Sequence, residues 1–425
     1  MNILKELPEL VNAGIISKET ASNIKEFYQV KNVNPQNKLY IITGILGAIL
    51  AGLGIILIIA HNWDGLSRFT KTIIAFLPLV AGQILCGFAL IKKTGNTAWR
   101  ESASPFLFFA VGASLSLVSQ VYNIPGDLGP FILIWMLLCI PLVYVMNSSV
   151  VSLLYIIGIT FYAGETNYGS NSGNHYYWLL LLLVLPHYYL LYKKKSVSNF
   201  MTFHNWIVPL SIIISLGTVS RNNTELMFVA YISLFALFYI IGHLPFFYKQ
   251  KPTRHGFVTF GSIGTIVLLL GLSFNWFWSD LRAESYQFNN IILSPELIVT
   301  AIISFLALYL LFLKIRQNSI KDVKPIDLAF IVFAIIFIIG LVSPIAVILV
   351  NLLVFVIGIS TIRDGTKNDH MGIMNFGLLI ITSLVICRLF DTDLSFVLRG
   401  FLFLGVGIGF FFLNYFMIKK RKVNA

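Results

Sequence analysis

Long apolar segments separated by short polar ones occupy most of the 425-residue chain. Each is close to the roughly 20 residues that an α-helix needs to cross the hydrocarbon core of a membrane. The segments are continuously apolar rather than alternating, which favours helices over the strands of a membrane β-barrel. We therefore predict about fourteen spans, over residues 39–61, 72–91, 103–122, 128–146, 148–164, 176–192, 203–220, 226–248, 257–279, 295–313, 325–342, 344–362, 372–389 and 396–418.

Two places in this pattern have a second interpretation. The segment 148–164 is short, and only Ser343-Pro344 separates 325–342 from 344–362. Each could therefore form a re-entrant or interrupted segment instead of complete spans.

The composition restricts the class of protein. The chain is 57% hydrophobic and 11% charged, against about 45–50% and about 25% in soluble domains, and its mean hydropathy is +0.83. Too few polar residues are present to cover a soluble globule, which excludes a cytosolic enzyme, a disordered chain and a secreted disulfide scaffold. Cys86, Cys139 and Cys387 lie in apolar segments without metal-binding spacing, as packing residues do. The predicted fold is an all-α, polytopic transmembrane helix bundle.

The basic residues predict the orientation. With the N-terminus in the cytoplasm and strict alternation, 24 of the 30 Lys and Arg residues lie on the inner side, as the positive-inside rule requires. This distribution explains the net charge of +12 without a nucleic-acid partner. We expect a bacterial cytoplasmic (inner) membrane protein with both termini in the cytoplasm. The six basic residues left on the outer side are Arg68, Lys71, Arg221, Arg282, Arg388 and Arg399.

Three regions follow from this pattern: a cytoplasmic head (1–38), a membrane domain (39–418) and a basic cytoplasmic tail (419–425). The head has apolar residues at helical spacing on both sides of a Gly14 cap, and Ser17 begins its second helix. Two short amphipathic helices cannot bury a core alone. Residues 1–35 are therefore expected to dock on the membrane domain, to pair with a second copy or to bind a cytoplasmic partner.

The head and the start of the membrane domain resemble a known family. The segments LPELVNAGIISKETASNIKEFY and AHNWDGLSRFTK, with a glycine-rich run between them, are similar to bacterial predicted membrane proteins of the domain-of-unknown-function 2157 family. The resemblance covers roughly residues 1–140, and the ending VLRGFLFLGVGIGFFFLNYF resembles the end of longer members. It implies a bacterial multi-span inner-membrane protein, and it implies no activity.

Polar residues inside the spans are candidates for a substrate cavity. The hypothesis is a transporter- or flippase-like carrier of an amphipathic or weakly charged substrate, with a solvent-reachable cavity near the midplane. Glu296 and Asp327 are the only acids near membrane depth and lie at span ends, which argues against an ion-driven pump. The cavity candidates are Gln83, Gln120, His187 and Asn351.

A second set of candidates lies at the predicted outer face. Trp63 and its neighbours are typical of an aromatic anchor, or alternatively of an outer vestibule. Arg388 and Arg399 could clamp two helices by pairing with aspartates, or could bind an anionic head group. The outer-face candidates are Asn62, Trp63, Asp64, Arg388, Asp391, Asp393 and Arg399.

Glycine spacing hints at an internal repeat. Gly261, Gly264 and Gly271 reproduce the spacing of Gly44, Gly47 and Gly54. Two parallel repeats, beginning near residues 39 and 257, would resemble the internal repeats of some transporters.

Two further function classes stay open. One is a sensor or assembly scaffold that acts through residues 1–35. The other is a membrane enzyme that uses the outer carboxylates and arginines, which requires carboxylates within about 5–9 Å of one another. The chain has no phosphate-binding loop, HExxH, CxxC or GxSxG motif, so no cofactor or metal is expected and an enzyme is the less favoured class.

Overall fold

The computed structural model describes residues 3–31, 63–169, 176–221, 223–244, 255–283, 294–317, 323–391 and 396–424. All regular structure in these ranges is helical. The chain forms two compact units, residues 1–75 and 76–425. The helices are α1 Ile3–Asn12, α2 Lys18–Lys31, α3 Arg68–Lys92, α4 Thr97–Tyr122, α5 Leu128–Val145, α6 Ser149–Gly164, α7 Tyr176–Lys195, α8 Asn199–Leu216, α9 Leu226–Gly242, α10 Gly256–Gly271, α11 Asn275–Ala283, α12 Pro295–Gln317, α13 Pro325–Gly340, α14 Ala346–Lys367, α15 Met371–Asp391 and α16 Phe396–Asn424.

Within the described residues, nine helices are long and apolar enough to cross a membrane, or ten if α10 and α11 form one bent span. The predicted count of about fourteen is therefore not confirmed. Helix α9 has 17 residues and α13 has 16, short of the usual span length. Tyrosines and lysines lower the hydropathy of α7. The predicted first span, 39–61, lies outside the described residues.

Several predicted segments need correction in detail. The run 257–279 is not one continuous helix, because α10 and α11 meet at an angle of 70°. The run 226–248 becomes helix only as far as Gly242. The two ambiguous places are resolved as helices: 148–164 forms α6, and α13 and α14 are separate helices on either side of the 341–345 turn.

Capping residues explain several helix boundaries in the unit formed by residues 76–425. The side chain of Asn96 accepts the backbone N–H groups of Ala98 and Trp99, so α4 begins there. Ser148 and Ser198 cap α6 and α8 in the same way, since a helix leaves its first N–H groups without intrahelical partners. Helix α4 ends at Asn123, which adopts a left-handed conformation with φ of 50°.

Helix α9 is the central helix of the unit formed by residues 76–425. It contacts α10, α12 and α13, and most of its side chains are buried. Helix α10 lies especially close, because a Cβ atom at Gly261 would come within 2.6 Å of the backbone nitrogen of Tyr239 and 2.7 Å of the carbonyl oxygen of Phe235. An apolar helix of 17 residues is therefore stabilised here by protein on most of its faces.

The unit formed by residues 1–75 contains the two N-terminal helices. Gly14 follows α1 with φ of 71°, a conformation that glycine adopts without strain. Ser17 then accepts the backbone N–H of Thr20 at 3.0 Å at the start of α2. The two helices contact each other.

Candidate functional site

The unit formed by residues 76–425 contains an apolar groove of about 730 Å³. Five helices contribute to it: α7, α8, α9, α10 and α12. On α7 the groove extends from Trp178 to Tyr188, ten residues or about 15 Å of helix, which is about half of the hydrocarbon thickness of a bilayer. Representative lining residues are Trp178, Tyr188, Val208, Leu237, Phe257 and Ile302.

The wall of this apolar groove offers almost no polar contact. Among the described residues that line it, only Trp178 and Tyr188 have a side-chain polar atom. The Tyr188 hydroxyl donates to Asn205 Oδ1 at 2.6 Å and is thus already satisfied. A groove of this size and chemistry suits a hydrocarbon chain and gives an ion or a sugar no partner.

A buried polar cluster lies next to the groove residue Tyr188, whose ring stacks on His204. His204 contacts the Phe200 carbonyl through Nδ1 and the Ser152 hydroxyl through Nε2, at 2.8 and 3.0 Å. The rings of His187 and His204 are 6.2 Å apart. His187 is buried in this packed interior, although its sequence position made it a candidate for lining a cavity.

The four predicted cavity residues do not form one site. Gln83 on α3 and Gln120 near the end of α4 are exposed on their helices, whereas Asn351 is partly buried on α14. None of the four lines the apolar groove. Sequence position gives depth in the membrane, but it does not give the direction in which a lone amide points.

Asn351 instead belongs to a cluster at the break between α10 and α11. Its Nδ2 donates to the carbonyls of Ser273 and Val347, at 3.2 and 2.6 Å. Trp278 Nε1 donates to the Leu272 carbonyl at 2.7 Å. The bonds to Ser273 and Leu272 satisfy carbonyls that the broken helix leaves without intrahelical donors, as a break at membrane depth requires.

Arg388, an outer-face candidate, reaches the same break. Its guanidinium donates to Ser273 Oγ at 3.2 Å and lies 5.2 Å from the centre of the Phe274 ring. The structure therefore brings together two residues that the sequence assigned to different sites, Asn351 and Arg388. Ser273 and Trp278, which connect them to the break, were missed; the only signal was a Gly-Leu-Ser interruption in an apolar run.

The other outer-face candidates are distributed differently. Trp63 is partly buried, with the Lys71 ammonium 5.6 Å from its ring centre, and Asp64 is exposed. Arg399 is partly buried on α16. Asn62, Asp393 and the side chain of Asp391 lie outside the described part of the structure, so the predicted convergence of carboxylates stays a prediction.

A polar pocket of about 160 Å³ lies where α9 ends and α13 begins. Its charged members are Lys324 and Asp364, which form an ion pair at 3.2 Å with side chains 36% and 28% exposed. Sequence reasoning did not select this pocket, because its residues come from five helix ends that are far apart in the chain. The polar residues that line the pocket include Tyr239, His243, Ser262, Lys324, Thr361 and Asp364.

A second ion pair lies behind the wall of the polar pocket. Lys314 Nζ and Asp327 Oδ2 are 2.6 Å apart, and their side chains are only 11% and 0% exposed. Asp327 Oδ2 also accepts the backbone N–H of Lys324 at 2.9 Å, so the aspartate caps α13. The Lys314 ammonium lies 6.0 Å from the Tyr239 ring centre. A buried charge paired in this way is tolerated where an isolated one is not.

His243 also lines the polar pocket. It follows the last residue of α9, and its Nδ1 contacts the Tyr239 carbonyl at 2.8 Å.

Two carboxylates, the buried Glu296 and the partly buried Glu101, fix chain segments. Glu296 Oε1 accepts the backbone N–H groups of Arg221 and Asn223, at 2.6 and 3.2 Å. Glu101 accepts three hydrogen bonds at the start of α6. In the ranges that the structure describes, no three His, Cys, Asp or Glu side chains are grouped to hold a metal ion.

These helices and their apolar surfaces define a multi-pass α-helical membrane protein. Within the chain, residues 8–152 match the family described as a predicted membrane protein, DUF2157. This match confirms the family resemblance of the N-terminal part. No curated protein and no solved structure matches the chain.

Proposed function

We propose that this membrane protein binds the hydrocarbon chain of an amphipathic molecule in the apolar groove and acts as a transporter- or flippase-like carrier. The observation that carries the proposal is the groove itself: about 730 Å³ with an almost entirely apolar wall, open along several helices. An acyl chain matches its length and chemistry, whereas a polar solute does not.

The groove would select its ligand by shape. Lipid tails are as apolar as the groove wall, so transfer from bilayer to groove gains little hydrophobic free energy. Binding then depends on packing against fixed side chains such as Phe238 and Phe257. The polar head would stay at the membrane surface while the protein holds the tail.

Filling the groove tests this function. Ile302 lines the groove and is 54% exposed, whereas Ile298, one turn earlier on α12, is 47% exposed and does not line it. The full chain is reconstituted in vesicles, and movement of a fluorescent phospholipid between leaflets is measured. We expect Ile302→Trp to reduce the protein-dependent rate severalfold and Ile298→Trp to leave it unchanged. Equal rates in both variants and the wild type would reject the groove as the carrier site.

The orientation is part of the proposal. The distribution of basic residues supports a bacterial inner membrane with cytoplasmic termini, and it puts the polar pocket on the cytoplasmic side. Reporter fusions after Arg316 and after Arg221 test this orientation. A cytoplasmic reporter is expected to be active only at the first position.

One observation favours the scaffold alternative. Ile15, between α1 and α2, is 68% exposed, so its apolar side chain is accessible to a protein partner. A photo-crosslinker at position 15 should capture a second copy or another protein if the segment is a contact surface. The same crosslinker at the exposed Glu19 is the control. Equal labelling at both positions would remove this alternative.

A further inference from the structure

The polar pocket is large enough for a small molecule only. Its volume of about 160 Å³ corresponds to about five water molecules at ~30 Å³ each. Pockets for drug-sized ligands occupy about 300–1,000 Å³. A ligand of this pocket therefore has few non-hydrogen atoms.

The ion pair in the pocket wall uses only part of its hydrogen-bonding capacity. Lys324 and Asp364 both line the pocket, and their contact at 3.2 Å joins one ammonium donor to one carboxylate oxygen. A lysine ammonium has three donors and a carboxylate about four acceptor positions. Because the pair is partly exposed, it contributes little to stability and opens at little cost.

The opposite charges of Lys324 and Asp364 restrict the charge that a ligand of the pocket can carry. An anion beside Lys324 would also lie near Asp364, and a cation beside Asp364 would lie near Lys324. Lys314 and Asp327, behind the wall, neutralise each other's charge, so they add no net charge to the surroundings of the pocket. A ligand with one charge therefore meets repulsion that a ligand with both charges avoids.

The uncharged groups of the wall favour an ammonium beside Asp364. The hydroxyls of Ser262 and Thr361 donate to the carbonyls of Val258 and Ile357, both at 2.7 Å. Their oxygens are thus left as acceptors. Acceptors near a carboxylate suit a donor-only group such as an ammonium.

We propose that the polar pocket binds a compact zwitterion, with its ammonium held by Asp364 and the Ser262 and Thr361 oxygens and its anionic group held by Lys324. A free amino acid such as glycine has this chemistry, and so does a phosphoethanolamine head group. The proposal is independent of the function assigned to the apolar groove.

The first test compares zwitterions with ions that carry only one of the two charges. The purified full chain in detergent is heated with glycine, β-alanine, methylammonium or acetate, and binding heats are measured in parallel. We expect glycine and β-alanine to raise the melting temperature in a saturable way and the two single-charge ions to give no shift. The proposal is overturned if glycine neither stabilises nor binds, or if acetate or methylammonium alone equals it.

Variants locate the site. Lys324→Met and Asp364→Asn are each expected to weaken glycine binding at least ~tenfold. Lys367→Met removes an exposed charge from the same helix as Asp364, outside the pocket, and should leave binding unchanged. The exchange Lys324→Asp with Asp364→Lys keeps both charges and should bind glycine better than either single variant. An equal loss in Lys367→Met would show that only net charge matters and would overturn the assignment.

Nanodiscs distinguish the two sources of the zwitterion. In phosphatidylglycerol discs, glycine should bind as in detergent. In phosphatidylethanolamine discs, weaker glycine binding identifies the lipid head group as the natural occupant, and unchanged binding identifies a soluble zwitterion. Loss of glycine binding in both kinds of disc would contradict the proposal.

Discussion

Asn351 and Arg388, on two neighbouring helices, both donate to Ser273: Asn351 to its carbonyl and Arg388 to its hydroxyl, each at 3.2 Å. Ser273 lies in the break between α10 and α11, where the chain bends by 70°. Asn351 satisfies a carbonyl that lacks a helical donor, and Arg388 links the Ser273 side chain to α15. Side chains from two other helices thus stabilise the bend.

The first prediction concerns Asn351→Ala, which leaves the Ser273 carbonyl without this donor. We expect a loss of about 1–3 kcal/mol in the free energy of unfolding, the usual cost of an unsatisfied buried group. Denaturant titration of the purified chain measures it. Asn375→Ala is the control, because Asn375 is exposed and accepts a hydrogen bond from Asn414. A similar loss in both variants would show that the break does not depend on Asn351.

The helices were predictable, while the sites were not. Each predicted apolar run within the described residues contains a helix, because length and continuous hydropathy suffice to identify one. The bend at Ser273 was missed because a run of apolar residues looks the same whether its helix is straight or broken. Short helices within apolar runs, α9 and α13, account for two of the spans that were predicted and not found, and the predicted span 39–61 lies outside the described residues.

The sites depend on distances that no local pattern contains. The polar pocket joins Tyr239, Lys324 and Asp364, whose spacing in the chain follows no motif. Gln83 and His187 were selected because polar residues are rare in spans, yet one is exposed and the other packs against aromatic rings. The rarity of a polar residue in a span does not predict whether its side chain is exposed or packed among other residues.

The second prediction concerns the close contact between α9 and α10. A methyl group at Gly261 would come within 2.7 Å of the backbone of α9, which cannot move aside as a side chain can. We expect Gly261→Ala to cost about 1–3 kcal/mol, as overpacking does. Gly271→Ala on the same helix has nothing within 4 Å and should be neutral or slightly stabilising. Melting temperatures of the two variants in detergent provide the comparison.

The third prediction concerns Glu101, which joins α4 to α6. Its carboxylate accepts from the Ser148 hydroxyl at 2.6 Å and from the backbone N–H groups of Ser149 and Val150 at 2.9 and 3.0 Å. Glu101→Gln replaces one acceptor oxygen with a donor and should cost about 1.5–3 kcal/mol. Glu165→Gln at an exposed position is the control. Unchanged stability in Glu101→Gln would contradict the role of this cap.

The fourth prediction uses the intrinsic fluorescence of the apolar groove. A fatty acid brominated on its chain should quench Trp178 in a saturable way, because Trp178 lines the groove. We expect Trp178→Phe to remove the saturable component of quenching. Trp276→Phe removes an exposed indole outside the groove and should retain that component. Saturable quenching that survives Trp178→Phe would place the fatty acid elsewhere.

The fifth prediction contrasts the two ion pairs near α13. Asp327 is fully buried with Lys314, so Asp327→Asn leaves a nearly buried ammonium without its countercharge. We expect a loss of about 3–5 kcal/mol, the usual cost of breaking a buried pair. Asp364→Asn breaks the partly exposed pair with Lys324 and should cost at most about 1 kcal/mol.

The stability of these two variants shows whether a loss of glycine binding has a structural cause. If Asp364→Asn melts close to the wild type, its effect on glycine binding reports the polar pocket itself. Lys314→Met combined with Asp327→Leu removes both buried charges, and it should recover most of the stability that Asp327→Asn loses, apart from the cap to the Lys324 N–H. Equal destabilisation by Asp327→Asn and Asp364→Asn would show that burial does not distinguish the two ion pairs, although their side chains differ in exposure.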